Sequence, residues 1–375
     1  MKQLLALIRY FFKFCWKGSV CYRLLNKMKK FSFFIITVSI TAIIFELMSF
    51  TVLKVYKKIY VSKIEKKYKK VNLENESRRD YHQYYAFYGW KKKDITSENI
   101  NVKNHLRETT QNSKWDSKSK IWFFGGSTMW GSGVADNKTI PSYAAKLDHR
   151  FQPVNFGEDG YNAGQSLNRL IENIDQINEG DHIIFFDGVN DAFSKCDTNN
   201  GPNGSEQVRH IRKLIEKDKH PFKGMLVSVG SKFTESNTFK LYNGIKKKLG
   251  FKDNYLNTYG CVNSEYAFEV ANSMVRHWKI GEIITKNKKA NFHCMLQPNP
   301  YTADFKVSHP TNKNYQNATK DVYPIIRNLA KSLDCFSDFT KIFTEDFYID
   351  ECCHVSDLGN DILAREFINN IFRKE

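Results

Sequence analysis

A serine in the first half of the sequence and a histidine near its end have the surroundings of a nucleophile and its base. Ser127 directly follows the apolar segment KIWFFGG (120–126), where a tight turn would expose its hydroxyl. His354 follows Asp350 by four residues and Glu351 by three. A carboxylate that accepts from the Nδ1–H of a histidine can direct Nε2 towards a serine hydroxyl. These residue types therefore predict acyl transfer through a serine.

Two further loops carry groups that could stabilise a negative oxygen. Gly160 lies in NFGEDGYNAG and Asn190 in FFDGVNDA, each after a short apolar segment. A glycine presents its backbone N–H without a side chain in the way, and an asparagine amide donates hydrogen bonds. Taken singly, the serine, glycine and asparagine are also typical of turns and helix caps, and the histidine of a surface residue. The combination indicates an oxyanion hole formed by the Ser127 N–H, the Gly160 N–H and the Asn190 side chain.

The elements around these loops alternate between strands and helices. Strands are predicted at 120–126, 153–157, 182–188 and 291–298, and helices at 139–151, 164–180, 263–289, 313–333 and 357–372. Such alternation is typical of βαβ units, so we expect a three-layer α/β/α sandwich around a central parallel sheet. The loops with candidate residues then lie at the carboxyl edge of that sheet.

The blocks GGST, NFGEDGY, GVND and the C-terminal acid–histidine segment together resemble those of SGNH (GDSL-like) hydrolases. The resemblance is to a bacterial, membrane-anchored branch and covers about 118–372, except an insertion at about 193–260. It implies Ser127 as nucleophile, His354 as base, and no metal or organic cofactor. The family usually places its acid three residues before the histidine, where this chain has Glu351. The YID run favours Asp350 instead, so both acids remain candidates.

The segment 31–53 predicts a transmembrane helix. It has 23 residues with a single charge, Glu46, and can cross a hydrocarbon core of roughly 30 Å. A buried helix of a soluble protein is the alternative, and a cleaved signal peptide does not fit its length and position. Glu46 would be neutral, shielded by a partner or near the interface. We therefore divide the chain into a basic segment 1–30, the span 31–53, a Lys-rich stalk and linker 54–117, and a catalytic domain 118–375.

The positive charge is concentrated around this segment. Residues 1–70 carry 16 Lys and Arg against two acids, whereas the other 305 carry 41 against 38. This distribution suits contact with anionic lipid headgroups and argues against a nucleic-acid partner.

The expected function is that of a serine esterase acting on O-acyl groups of a cell-envelope carbohydrate. The alternatives are an O-acetyltransferase of an envelope polysaccharide, and a non-catalytic carbohydrate-binding or assembly protein with the same fold. We expect membrane lipid as a partner through residues 31–53 and the catalytic domain outside the cytoplasmic membrane. Six cysteines follow the span, and Cys196 and Cys261 bracket the insertion, where a disulfide would restrain a loop. Cys335 and the Cys352–Cys353 pair are expected near block ends that lie close together.

Overall fold

The computed structural model describes residues 19–68, 82–110, 119–196, 200–205, 215, 236–248, 260–309 and 312–372. In chain order the elements are α1 (Ser19–Tyr68), β1 (His82–Tyr85), β2 (Gly89–Lys92), β3 (Val102–Lys103), β4 (Leu106–Arg107), β5 (Lys120–Gly125), α2 (Ser127–Trp130), α3 (Ile140–Leu147), β6 (Gln152–Asn155), α4 (Ala163–Glu172), β7 (His182–Asp187), α5 (Val189–Lys195), α6 (Asn237–Lys248), α7 (Ser264–Asn287), β8 (Asn291–Leu296), α8 (Lys313–Ala330), β9 (Phe336–Asp338) and α9 (Asp357–Phe372). The chain forms two compact units. The first comprises Met1–Lys69 and Lys217–Asn254, and the second comprises Lys70–Glu216 and Tyr255–Glu375.

The second unit contains a five-stranded parallel sheet in the order β6–β5–β7–β8–β9. Every residue of β7, and every residue of β5 after the first, is buried. Strands buried on both faces read as continuous apolar runs, and this is why the sequence shows FFDG-type segments and no polar alternation.

Helices cover both faces of the sheet. One face packs Trp122, Phe124 and Phe185 against α4, α7 and α8. The other packs Phe123 and Phe186 against α3 and α9. Neighbouring residues such as Phe123 and Phe124 enter opposite layers because side chains alternate along a strand. The predicted three-layer α/β/α fold with a central parallel sheet is confirmed.

The residues before β5 belong to this unit more closely than the sequence indicated. The predicted linker contains two hairpins, β1–β2 and β3–β4, and these lie within the unit that begins at Lys70. Arg107 is buried and donates from its guanidinium to the carbonyls of Trp130, Gly131 and Val134 and to the carboxylate of Asp136. The packed domain therefore includes residues upstream of the boundary predicted at 118, because the hairpins supply side chains that the α/β core needs. Residues 69–81 and 111–118 lie outside the described residues.

The first unit contains the long helix α1 and the shorter helix α6. Within α1, Asn26–Tyr56 is long and apolar enough to cross a membrane. Helix α1 continues to Tyr68, so the Lys-rich stretch after the apolar segment is helical as far as that residue. Residues 1–18 of the predicted basic segment, and most of the predicted insertion, lie outside the described residues.

Two disulfides join parts of the second unit. Cys196 is bonded to Cys261 across the insertion, and Cys294 to Cys335 between β8 and the start of β9. Cys335 therefore pairs with Cys294 and not with the Cys352–Cys353 pair, whose two thiols are free.

Candidate functional site

Ser127 and His354 meet although 227 positions separate them in the chain. The Oγ atom of Ser127 lies 2.7 Å from Nε2 of His354, within hydrogen-bond distance. Ser127 is the first residue of the short helix α2, separated by one residue from the end of β5, and His354 lies in the loop before α9. The geometry gives the serine hydroxyl a proton acceptor in direct contact.

The second ring nitrogen of His354 contacts Asp350. Nδ1 is hydrogen-bonded to Oδ2 of Asp350, while Oδ1 of the same carboxylate accepts from the backbone N–H of Cys352, Cys353 and His354. These bonds fix the carboxylate relative to the imidazole. The arrangement is the one that holds a histidine in the tautomer with Nε2 free to accept a proton.

Glu351 is directed elsewhere. Its side chain is exposed and lies 3.4 Å from the Asn312 amide, and its backbone carbonyl accepts from the Tyr301 hydroxyl. Of the two acids left open by the sequence, Asp350 is the one in contact with the histidine. The reason is local: Asp350 closes a turn over the N–H groups of Cys352, Cys353 and His354, which brings its other oxygen to the ring.

The contact between Asp350 and His354 moves their pKa values in opposite directions. Burial opposes ionisation of Asp350, but hydrogen bonds from His354 and from the turn lower its pKa to about 2. Burial alone would lower the pKa of His354, yet the neighbouring Cys353 sulfur and Asp350 carboxylate raise it to about 9. The carboxylate is thus ionised at neutral pH and stabilises the imidazolium that forms when the histidine takes a proton.

Asn190 lies against the serine turn. Its Nδ2 donates to the carbonyl of Tyr161 at 2.7 Å. A β-carbon added to Gly126 would lie 2.3 Å from the same nitrogen, so this close approach requires glycine before the serine. A primary amide has two N–H groups, so Nδ2 of Asn190 can donate to a second acceptor as well.

Gly160 immediately precedes the carbonyl that holds Asn190. Its φ of 76° lies in the left-handed region, where glycine is favoured. The loops carrying Ser127, Gly160 and Asn190 therefore meet at the carboxyl edge of the sheet, as the alternating pattern predicted. Sequence reasoning identified the glycine as a bare N–H, and the structure adds the reason for its residue type.

The loop of Gly160 is held by an ion pair between the buried Lys92 and the half-buried Asp159. Nζ of Lys92 is 2.6 Å from Oδ2 of Asp159, and the Ser132 hydroxyl donates to the other oxygen at 3.0 Å. Burial raises the pKa of Asp159, but the Lys92 charge outweighs it and lowers that pKa below its ordinary value. The hairpin strand β2 thus stabilises the loop that follows β6.

Among the described residues, His82, Glu158 and Asp159 form the one group whose spacing could suit a metal ion. The Lys92 ammonium already neutralises Asp159, and both Glu158 oxygens accept backbone N–H groups, from Lys92 and Asp159. The group therefore fits an ion-pair network better than a metal centre.

Two residues not singled out from the sequence tie the nucleophile to the base. The Thr128 hydroxyl donates to the carbonyl of Cys353 at 3.3 Å, and Nε2 of Gln297 donates to that hydroxyl at 2.6 Å. Gln297 directly follows β8. Asn190 has a similar place, in the first turn of α5 just after β7. The position of Gln297 at the carboxyl end of the fourth predicted strand is the signal that could have identified it.

Comparison with known proteins brings no matching family model and no matching curated protein. Solved structures do resemble the chain. A lipolytic protein of the G-D-S-L family from Desulfitobacterium hafniense is 12% identical, with 68% of this chain and 99% of that chain covered and a TM-score of 0.38.

Two lipases give similar values. A GDSL-like lipase from Bacteroides thetaiotaomicron is 14% identical, with 68% and 89% covered and a TM-score of 0.34. An extracellular lipase from Streptomyces rimosus is 12% identical, with 67% and 99% covered and a TM-score of 0.36. The likeness is one of fold. At these identities and scores it carries no argument about activity, so the functional conclusion depends on the site.

Proposed function

We propose that the chain is a serine esterase of the SGNH type, with Ser127 as nucleophile, His354 as base and Asp350 as the acid that orients the base. The observation that supports this most strongly is that His354 contacts Asp350 through Nδ1 and Ser127 through Nε2. A serine that only capped a helix would need no contact with a histidine, and a surface histidine would need no partner on both ring nitrogens.

The proposed reaction has two steps. The Ser127 oxygen attacks the carbonyl carbon of an ester while Nε2 of His354 takes its proton, and the carbonyl oxygen becomes an oxyanion. The N–H groups of Ser127 and Gly160 and the Asn190 amide stabilise that oxyanion. The C–O bond to the alcohol then breaks, the alcohol receives the proton from His354, and an acyl-enzyme remains. Water releases the acid by the same sequence of proton transfers.

The proposed substrate is an O-acyl group on a cell-envelope carbohydrate. The resemblance to membrane-anchored SGNH proteins and the apolar segment of α1 support an enzyme that acts at the membrane surface. A sugar hydroxyl that replaces water in the second step would make the chain an O-acetyltransferase, and we keep this as the second candidate. A non-catalytic binding protein is disfavoured by the complete set of nucleophile, base and donors.

The catalytic domain is proposed to lie outside the cytoplasmic membrane. Two disulfides in the second unit favour an oxidising compartment. Protease treatment of intact spheroplasts tests this: a domain that is cut only after lysis would place the site in the cytoplasm and contradict an envelope substrate.

The catalytic proposal is tested on the full chain in detergent with a fluorophosphonate probe. The Ser127→Ala variant should lose labelling and lower ester cleavage by on the order of 10³-fold or more. Ser337→Ala is the matched control. Among the described residues the Ser337 hydroxyl bonds only Asn370 of α9, so the variant should leave both readouts unchanged. Labelling that persists without Ser127 would contradict the mechanism.

The fate of the acyl group is tested by mass analysis after addition of acetylated oligosaccharides. An acetyl adduct on the Ser127 peptide, followed by free acetate, would support the esterase. Transfer of the acetyl group to an added unacetylated oligosaccharide would support the transferase instead.

A further inference from the structure

Glu46 is the one acid of the apolar segment of α1, and the structure gives it four hydrogen-bond donors. The carboxylate accepts from the backbone N–H and the side-chain amide of Asn237, at 2.6 Å and 2.8 Å. It also accepts from the backbone N–H and the hydroxyl of Thr238, at 3.0 Å and 2.9 Å. The two residues that supply these four donors, Asn237 and Thr238, are the first residues of α6, so Glu46 caps the N-terminus of this helix.

A stripe of α1 around Glu46 is covered as well. Of the side chains described between positions 26 and 56, Glu46, Ser49 and Leu53 are the ones that are not exposed, and Ser49 is 4% exposed. Spacings of three and four residues place these positions on one face of the helix. The first turn of α6 packs on this face, since Asn237, Thr238 and Phe239 are themselves partly buried.

The contact between Glu46 and the N-terminus of α6 satisfies two sets of polar groups that would otherwise lack partners in hydrocarbon. A carboxylate in a membrane span lacks donors, and the first N–H groups of a helix lack acceptors. In water both are hydrated and gain little from meeting, but within a bilayer every backbone polar group needs a protein partner. The helix dipole adds to the attraction, because its N-terminus is positive.

The position of Glu46 sets the depth of the contact. Glu46 lies seven positions before Leu53, the last residue of the predicted span 31–53. At about 1.5 Å per residue, this places it about 10 Å inside that end of the span. Helix α6 has 12 residues and ends in Lys246, Lys247 and Lys248. Its length of about 18 Å is enough to span the distance from the depth of Glu46 to the headgroups.

The outer side of α6 is suited to acyl chains. Tyr242 and Ile245 are 59% and 50% exposed, and the exposed apolar residues of α1, such as Ile44, continue the same kind of surface. We propose that α6 is a second membrane-embedded element, docked on α1 through Glu46, with lipid acyl chains and anionic headgroups as its partners. This proposal rests on the membrane span proposed for α1 and is independent of the esterase mechanism.

The test uses the full chain in vesicles of phosphatidylcholine and phosphatidylglycerol, with the photoreactive residue p-benzoylphenylalanine placed at one position at a time. Incorporation in place of Tyr242 should give phospholipid adducts on illumination, read by mass analysis of the peptides. Incorporation in place of Ile44 reports on α1 itself. Adducts from position 44 but none from position 242 would overturn the proposal and leave the span intact. No adducts from either position would contradict both.

The role of Glu46 is tested in the same vesicles. Glu46→Ala should lower the lipid adduct at position 242 by about tenfold. Loss of hydrogen bonds to a charged group should reduce the fraction of molecules with α6 docked on α1 by roughly that factor. Thr51→Ala is the matched control, since within the described part of the chain the Thr51 hydroxyl bonds only the Leu47 carbonyl of its own helix. An unchanged adduct in Glu46→Ala would show that Glu46 does not hold α6 in the bilayer and would overturn the docking.

Discussion

The hydroxyl of Thr128 donates to the backbone carbonyl of Cys353, so the residue after the candidate nucleophile is bonded to the residue before the candidate base. Gln297 donates to the same hydroxyl, and its own carbonyl accepts from the Tyr323 hydroxyl. This buried chain joins the loops that follow β5, β8 and β9. It gives the loop carrying His354, far away in sequence, a fixed distance from the serine turn.

Removal of the Thr128 hydroxyl should therefore cost both stability and rate. In Thr128→Val the buried Nε2 of Gln297 loses its acceptor, which we expect to lower the free energy of unfolding by about 1–3 kcal/mol. We also expect kcat to fall while KM changes little, because the base is no longer held at the serine. Thr128→Ser keeps the hydroxyl and is the control. Denaturant unfolding and steady-state kinetics measure both effects, and equal kcat in the two variants would show that the bond has no positioning role.

Asn190→Ala should lower kcat by on the order of 10²–10³ with little change in KM, since an oxyanion donor acts in the transition state. The variant also removes the bond to the Tyr161 carbonyl, so a fold control is needed. Asn168→Ala loses a comparable amide-to-carbonyl bond, to Phe87, on the exposed side of α4 and should retain activity. A defect confined to KM would place Asn190 in substrate binding.

The pH profile of kcat/KM should show an acid limb near the pKa of about 9 of His354, because the base must be neutral to accept the serine proton. Activity should then rise with pH over the range below that value. In Asp350→Asn the imidazolium loses its carboxylate partner, so the limb should move to lower pH while the maximal rate falls sharply. Glu351→Gln should leave the limb in place. A limb that moves in Glu351→Gln and not in Asp350→Asn would make Glu351 the orienting acid.

Truncation tests how much of the segment before β5 the domain requires. A chain that begins at residue 119 loses Arg107 and leaves the carbonyls of Trp130, Gly131 and Val134 without its guanidinium. We expect it to aggregate or to melt far below a chain that begins at residue 70. The point variant Arg107→Ala, made in the full chain, should cost about 3–5 kcal/mol, because it also takes the guanidinium charge away from Oδ1 of Asp136. Equal melting temperatures of the two truncated chains would make the hairpins dispensable.

The sequence by itself determined the layers of the fold and the order of the candidate site residues. Apolar runs such as HIIFFDG can be buried only in a sheet covered on both faces, and parallel strands bring their carboxyl ends to one edge. The loops of Ser127, Gly160 and Asn190 meet for this reason. The boundary of the domain was not readable, because the hairpins β1–β2 and β3–β4 are short, polar and stable only through contacts with distant residues such as Trp130.

Tertiary structure alone shows which of Asp350 and Glu351 contacts His354, since both lie within one turn of the histidine and differ only in which N–H groups the loop presents. It also decided the partner of Glu46. A sequence shows the same glutamate whether its side chain is neutral, near an interface or bonded to another helix. The donors of Asn237 and Thr238 are 191 and 192 positions away, and no local pattern could have indicated them.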